Sequence, residues 1–309
     1  MAVVGISVRP CAGEDEEARS LAIHNIVWPH RAVTMDEVQS FKEACIHYAD
    51  FLGAVDGEEK GSAAIAVLPQ RPKHGFLLLT VLEDGRRRGL GSALYATVSE
   101  WMRERGLEEI HASAMEDDEE SLAFAERRGF REIERYPRLL LDLATIGEPV
   151  VQAPPGVEIL TWADHPDLAR GMYEVAVEAY ADVPGGDTEE MEPFEDWLAH
   201  DMQSSGDRPE ATFVAVAGGE VVGYAKYFLT AARPTVAFHD MTGVRRSWRG
   251  RGVARALKQA QIAWAKRAGY EVLETANEER NEPIRRLNAD LGYQLAPGRI
   301  VLEGPLKPR

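Results

Sequence analysis

The sequence predicts an α+β fold built twice: two tandem domains, each a mixed, mostly antiparallel sheet flanked by helices. Three observations predict it. The first is an internal repeat. Arg249, Gly252, Leu257, Trp264, Gly269 and Gly292 have the same residue 163 positions earlier, at Arg86, Gly89, Leu94, Trp101, Gly106 and Gly129. Upstream, Phe213, Gly219, Glu220 and Gly223 match Phe51, Gly57, Glu58 and Gly61 at an offset of 162, so one deletion reconciles two ungapped blocks. The second is the hairpin pattern TFVAVAGGEVVGYAKYF, with Gly218-Gly219 at its turn. The third is an arginine-glycine turn, RRRGLG in one copy and RGRGVA in the other, set between a strand pattern and an apolar helix pattern.

In the second copy the elements follow in order. VEIL reads as a strand, and two helices follow over about 166–180 and 189–203. After the hairpin, TVAFHDMTGV is a strand. Val253, Leu257, Ala260 and Trp264 then recur at helical spacing until Gly269 caps the helix. EVLETA is a strand, EPIRRLNADLG a helix, and a final strand pair closes the domain. The Pro- and Gly-rich stretch GEPVVQAPPGVE separates the copies. The predicted domains are 1–146 and 157–309, joined by a linker at 147–156.

Composition narrows the function. With 309 residues, 45% hydrophobic and 28% charged, the chain suits two ordinary globular domains. A formal net charge of −16 argues against a nucleic-acid or anionic-membrane partner, because both are held by basic surfaces. Two cysteines, Cys11 and Cys45, make neither a disulfide framework nor a cysteine metal site. MAVVGISVRP does not read as a signal peptide, and no apolar run approaches the roughly 18 residues of a membrane span. The expectation is a reduced, cytoplasmic protein with no metal.

The arginine-glycine turn carries the chemistry. Backbone N–H groups at a helix start are unpaired and favour an anion. Glycines let a ligand approach that backbone, and arginines offer paired donors to phosphate. A dinucleotide fingerprint fails, since GRGVAR lacks the third glycine, and no Gly-Lys-Ser/Thr closes a P-loop. The alternative is a glycine turn with solvated arginines.

Arg249-Gly250-Arg251-Gly252-Val253-Ala254 resembles the acyl-CoA motif of the GNAT acetyltransferase superfamily, Arg/Gln-x-x-Gly-x-Gly/Ala, and Arg86-Arg87-Arg88-Gly89-Leu90-Gly91 resembles it too. Gly129-Phe130 and Gly292-Tyr293 match the family's glycine-aromatic pair after the second helix. The resemblance covers nearly all of both copies. It implies a sheet split between two central strands, with the pantetheine of acetyl-CoA in the split and the pyrophosphate on the turn. It implies direct transfer of the acetyl group to a primary amine in a ternary complex, aided by a base and a backbone oxyanion donor.

Counting back by twos from Val244 places Thr242, Asp240 and Phe238 on the strand face that the resemblance implies meets the acyl-CoA. Asp240 is the candidate base, with Thr242 beside it; the alternative is that Asp240 makes a structural ion pair. His239 points the other way unless a bulge intervenes. At the same offset the first copy has Leu77, Leu79, Ala114 and Ala125 in place of Asp240, Thr242, Asn277 and Asn288. The second copy is therefore expected to be catalytic and the first degenerate, structural or a bystander cofactor site.

The resemblance further implies that Asn277, Asn281 and Asn288 contact the coenzyme arm. Asn281 also reads as an N-cap. The cofactor-binding candidates are thus Val244, Arg249, Gly250, Arg251, Gly252, Val253, Ala254, Asn277, Asn281 and Asn288, with Arg86, Arg88, Gly89 and Gly91 in the first copy. Where many members have a tyrosine acid, this chain has Asn288 and Ala125.

The stretch ADVPGGDTEEMEPFEDW, from Ala181 to Trp197, holds Asp182, Asp187, Glu189, Glu190, Glu192, Glu195 and Asp196 without a basic residue. It reads as a solvated face or as an acidic mouth for a cationic amine. Nearby Tyr173, Tyr180, Phe194 and Trp197 read as core. The leading reading is an N-acetyltransferase using acetyl-CoA on a small amine, as monomer or homodimer. The alternatives are a mycothiol-synthase-like enzyme and a non-catalytic acetyl-CoA sensor or scaffold.

Overall fold

A computed structural model describes residues 5–69, 71–182, 191–277 and 281–308 of the chain. The first copy of the repeat runs β1 (Ile6–Pro10), α1 (Glu14–Val27), α2 (Met35–Glu43), β2 (His47–Val55), β3 (Glu58–Val67), β4 (His74–Val81), α3 (Leu90–Arg103), β5 (Glu109–Met115), α4 (Glu119–Glu126) and β6 (Arg131–Asp142). The second repeats that order as β7 (Val157–Thr161), α5 (Ala169–Tyr180), α6 (Phe194–Trp197), β8 (Phe213–Ala217), β9 (Glu220–Phe228), β10 (Val236–Val244), α7 (Val253–Arg267), β11 (Val272–Ala276), α8 (Glu282–Asp290) and β12 (Gln294–Pro305). The expected helix at 189–203 is described from α6 onward. There it passes into a π-helical turn over Leu198–Met202.

The chain forms two compact units, and they do not coincide with the two copies. Residues 1–135 and 299–309 make the first unit, and 136–298 the second. In the first, β12 from Arg299 onward pairs antiparallel with β5, Arg299 opposite Met115 and Pro305 opposite Glu109. In the second, β6 pairs antiparallel with β11, Arg138 opposite Ala276 and Asp142 opposite Val272. Each unit thus takes its last strand from the other copy. A closing strand needs only a matching backbone register and apolar face, and the repeat provides both in either copy. The segment 147–156 accordingly lies inside the second unit, where the Gln152 amide donates to Gln259 Oε1 at 2.9 Å.

Within the first unit β1, β2, β3, β4 and β5 pair in that order, antiparallel except for β4 with β5. Within the second, β7, β8, β9, β10 and β11 do the same, parallel only at β10 with β11. Alternate residues of these strands face α3 in the first core, through Ile65, Leu94, Val98 and Ile110. The second unit is packed on both sheet faces: Met172, Val175, Trp197 and Tyr224 on the α5 side, Phe213, Val244, Val253 and Leu257 on the α7 side.

The repeated glycine at Gly61 and Gly223 has a packing cause. A Cβ on Gly223 would lie 2.9 Å from the Gly243 carbonyl oxygen and 3.2 Å from side-chain atoms of Leu257 and Val253. On Gly61 it would lie 2.9 Å from the Thr80 oxygen and 3.0 Å from Leu90. Each glycine lets the helix after the arginine turn press onto the sheet. Gly223→Val is therefore expected to cost about 3 kcal/mol through overpacking, as measured by urea unfolding.

Candidate functional site

In both units the chain leaves a central strand, makes a short 3-10 turn and enters a helix through a left-handed glycine. Gly89 has φ 94° before α3, and Gly252 has φ 92° before α7. Only glycine takes this conformation without penalty. At the preceding special position Gly250 has φ 71°, while its counterpart Arg87 is held at φ 60°. The turn leaves the first helical amides, those of Val253, Ala254 and Arg255 and of Leu90, Gly91 and Ser92, without partners one turn back.

The first arginine of each turn is a clamp. Arg249 Nε donates to the Val244 carbonyl at 3.0 Å and Nη1 to Asp182 at 2.6 Å. Arg86 Nε donates likewise to the Val81 carbonyl at 3.2 Å and Nη1 to Glu120 at 3.4 Å. Arg246 also holds Asp182, and the two guanidiniums bring its carboxyl down to about 2. Arg88 pairs with Asp56, and Arg251 lies over the Trp248 ring at 4.9 Å. Val253 and Val244 are buried together, with Ala254 against them. Gly91 lets Phe124 approach: a Cβ there would lie 3.2 Å from that ring.

Below each turn the sheet forks. The β4–β5 ladder ends at Leu77 opposite Ala112, although β4 continues to Val81 and β5 to Met115. A cleft of about 300 Å³ opens there, lined by Leu77, Leu79, Gly89, Gly91, Tyr95 and Phe124 among others. The β10–β11 ladder ends in the same way at His239 opposite Thr275.

At the second fork the structure changes the expected strand face. Against β9 the register of β10 shifts between His239, opposite Tyr227, and Met241, opposite Lys226, so Asp240 is an extra bulged residue. The inserted residue resets the alternation. Val244 packs against α7, and so does His239, whose Nδ1 lies 3.0 Å from Gln261 Oε1 of α7. Thr242, partly buried opposite Ala225, therefore shares its face with His239 and not with Asp240 and Phe238. Asp240 turns to the α5 side, where it pairs with Lys226 at 2.8 Å.

Lys226 Nζ is also 2.9 Å from Asp207 and 3.3 Å from Asp201. Burial opposes its charge, but Asp240, Asp201 and Asp207 together outweigh that, and its pKa is raised. Burial pushes the Asp201 carboxyl up to about 6, against the pull of Lys226 and with Asp240 adding.

On the α7 side a second polar group fills the fork. The Tyr293 hydroxyl bonds His239 Nε2, and burial, with the Lys258 charge adding, holds the imidazole well below its usual range. Lys258 is 1% exposed, with its ammonium 5.5 Å from the Tyr293 ring centroid, and burial brings it down to about 7. Asn288, wholly buried, donates from Nδ2 to Asn277 Oδ1 at 2.7 Å, and its own Oδ1 has no hydrogen-bond partner among the described residues. Asn281 occupies the N-cap of α8 without a side-chain capping bond.

Sequence reasoning missed Lys226, Asp201, Lys258 and Gln261. It met His239 as pointing away unless a bulge intervenes, and the bulge is there. It met Tyr293 only as half of the glycine-aromatic pair. The repeat held a further signal: subtracting 163 turns Lys258, Gln261 and Tyr293 into Tyr95, Val98 and Phe130, and the ladder registers match His239 to Leu77, a polar set replaced by aromatic or apolar residues.

Of the acidic stretch, Asp187, Glu189 and Glu190 lie outside the described residues. Asp182 is bound to the arginine turn, and Glu195 and Asp196 are exposed. Trp197 is fully buried, with Tyr173, Tyr180 and Phe194 packed against its cluster. Cys11 and Cys45 are free thiols, and among the described residues no helix is long and apolar enough to cross a membrane.

Comparison with known proteins gives a family and a fold. The model of the acetyltransferase (GNAT) family matches residues 16–130 and 169–293. A tandem GNAT protein from the clavulanic acid biosynthesis pathway superposes with a TM-score of 0.79 at 21% identity, over 99% of this chain and 100% of that one. A GCN5-related N-acetyltransferase from Sphaerobacter thermophilus superposes with a TM-score of 0.75 at 24% identity, over 98% of this chain and 96% of that one. At these identities the likeness is one of fold. No curated protein matches the sequence.

Proposed function

From the premise that this chain belongs to the acetyltransferase (GNAT) family, whose model matches both of its halves, we propose that it transfers acetyl from acetyl-CoA to a primary amine, with the chemistry in the second unit. The observation that carries the reading is the contrast between the forks. The second holds His239, Thr242, Lys258, Asn277 and Asn288, where the first has Leu77, Leu79, Tyr95, Ala114 and Ala125, and its Asp240 is an added residue with no counterpart in β4. Both turns keep their left-handed glycine, and the first fork keeps an open cleft, so the first unit is a cofactor site without the polar groups for turnover.

The residues present suit acetyl-CoA. The amides of Val253, Ala254 and Arg255 offer donors to its pyrophosphate, and the Arg249 and Arg251 side chains add positive charge. The buried, unpartnered Asn288 Oδ1 is an acceptor suited to an amide N–H of the pantetheine arm. When bound, the coenzyme supplies the activated acyl group. Asp240 stands at the fork on the side away from α7 and presents its carboxylate to the incoming amine. Thr242, on the opposite face, lies toward the coenzyme.

Asp240→Asn is expected to lower amine-dependent release of CoA about 100-fold while leaving the acetyl-CoA dissociation constant within a factor of two. A thiol-reagent assay and calorimetry on the same preparation check this. Unchanged turnover would remove Asp240 from the site. Absence of amine-dependent release from wild type, with acetyl-CoA still bound, would instead favour the sensor reading.

A further inference from the structure

The α5 face of the second unit's sheet holds a charge cluster that is not balanced. Among the described residues, three carboxylates, Asp201, Asp207 and Asp240, surround the single ammonium of Lys226. The Lys226 and Asp207 side chains are 2% and 3% exposed, and they close the inner end. Asp201 and Asp240, at 24% and 34%, form the outer end and are open to solvent. One positive charge cannot neutralise three buried or half-buried negative ones. The excess is costly in a medium of low dielectric unless another cation arrives.

An independent feature marks the same spot. Tyr224 lies two residues before Lys226 on β9 and so on the same face. It is fully buried, and its hydroxyl has no hydrogen-bond partner among the described residues. After burial itself, Asp201, Asp240 and Asp207 are the charges that raise its pKa, so the hydroxyl sits within their field. The Tyr180 hydroxyl also reaches Asp201, at 3.3 Å. Two local irregularities set these groups: Asp201 lies in the π-helical turn and Asp240 is the bulged residue. Asp240 follows His239 directly, where β10 and β11 part.

We propose that Asp201, Asp240 and the Tyr224 hydroxyl form the subsite for the ammonium of a cationic amine acceptor, and that Asp201 receives its proton. The proposal rests on the reading that the second unit transfers acetyl to an amine. An alkylammonium brings the missing positive charge and donors for both carboxylates, and the Tyr224 oxygen can accept another. Asp201 first takes one proton from the bound ammonium and so frees the nitrogen lone pair. As that pair forms the bond to the acyl carbon, the carbon–sulfur bond breaks and its electron pair leaves on the coenzyme sulfur. The second proton of the nitrogen passes to the leaving thiolate, and the outer edge of Asp201 returns the first to water. Asp201 is suited to that exchange because burial has moved it to about 6, near working pH. The ionisable groups facing it are Lys226, Asp240, Asp207 and Tyr180, with Tyr224 in the same field.

The test titrates the full chain with n-butylammonium chloride and with n-butanol, followed by ligand NMR at fixed ionic strength. Butylammonium is then used as acceptor over a range of pH. Saturable binding of the ammonium and not of the alcohol is expected. Tyr224→Phe should weaken it about tenfold, by the loss of one hydrogen bond to a charged group, and Asp201→Asn by more. Wild-type kcat/KM should fall below pH about 6, and Asp201→Asn should lose that limb. Equal binding of the alcohol, or binding unchanged in both variants, overturns the subsite. An acid limb that persists in Asp201→Asn overturns the proton transfer. Specific ammonium binding without acetyl transfer would sustain the subsite and count against the proposed enzyme activity.

Discussion

Gly252→Val should lower the affinity of the second unit for acetyl-CoA by about 100-fold or more, and calorimetry should show two sites in wild type becoming one. Two effects add. The backbone at Gly252 has φ 92°, and a β-branched residue there costs on the order of 1–3 kcal/mol. The chain escapes that cost by rotating the turn, which takes the amides of Val253 and Ala254 off the phosphate position. Relaxation or not, the valine side chain also stands in the space that brings a ligand against the backbone, since a Cβ at Gly252 meets only Pro154, at 3.9 Å. Gly89, with φ 94°, makes the matching test in the first unit. Gly89→Val should leave the other site intact, and the double variant should bind none. A wild-type stoichiometry of one that survives Gly252→Val would move the active cofactor site to the first unit.

Lys258→Met should raise stability at pH 7 by about 3 kcal/mol and flatten its dependence on alkaline pH. Lys258 is wholly buried and brought from 10.5 down to about 7 by desolvation, with no compensating carboxylate among the described residues. Below about 7 both folded and unfolded chains carry the proton, and the folded state bears the full cost of a buried charge. Between about 7 and 10.5 the unfolded chain holds more protons than the folded one, so stability rises with pH, by at most about 1.4 kcal/mol per unit. Methionine fills the same volume without a charge. Urea melts of both proteins from pH 6 to pH 10, on the order of the window set by that depressed pKa, provide the check. Equal slopes would mean that the ammonium is not desolvated. Because Lys258 stands where Tyr95 lines the first unit's cleft, the same substitution should also lower turnover. A stabilising change that impairs activity is the usual mark of a polar group kept for function.

The parts legible in the sequence are those fixed by short-range constraints. Gly89, Gly250 and Gly252 announced the turns because a left-handed backbone leaves few alternatives to glycine. Gly218-Gly219 announced the β8–β9 hairpin, and the apolar spacing of Val253, Leu257, Ala260 and Trp264 announced α7. The constant offset between the copies turned each of these signals into two independent ones. Gly61 and Gly223 were visible as repeated residues, but the contact that requires them, a helix pressed on the sheet, was not.

The site was legible only in part, and the reason is register. Counting by twos along β10 assumes an uninterrupted ladder. The bulge at Asp240 depends on how β10 pairs with β9, so no count within β10 alone shows it. One added residue moved Asp240 to the α5 face and brought His239 to the α7 face. Lys226, Asp201, Asp207 and Asp240 meet from separate elements, and their shared charge exists only after those elements pack.

By itself the sequence determined that this chain is a twofold repeat of one α+β pattern, with an arginine-glycine turn in each copy and polar groups concentrated in the second. Those properties follow from residue type and local spacing. Tertiary structure alone decided that the compact units exchange their last strands, and that the polar residues sort into an Asp–Lys cluster on one face and a Lys–His–Tyr–Asn group on the other. Both outcomes depend on which distant strands pair and in what register, and backbone hydrogen bonds between strands leave no mark on the side chains that make them.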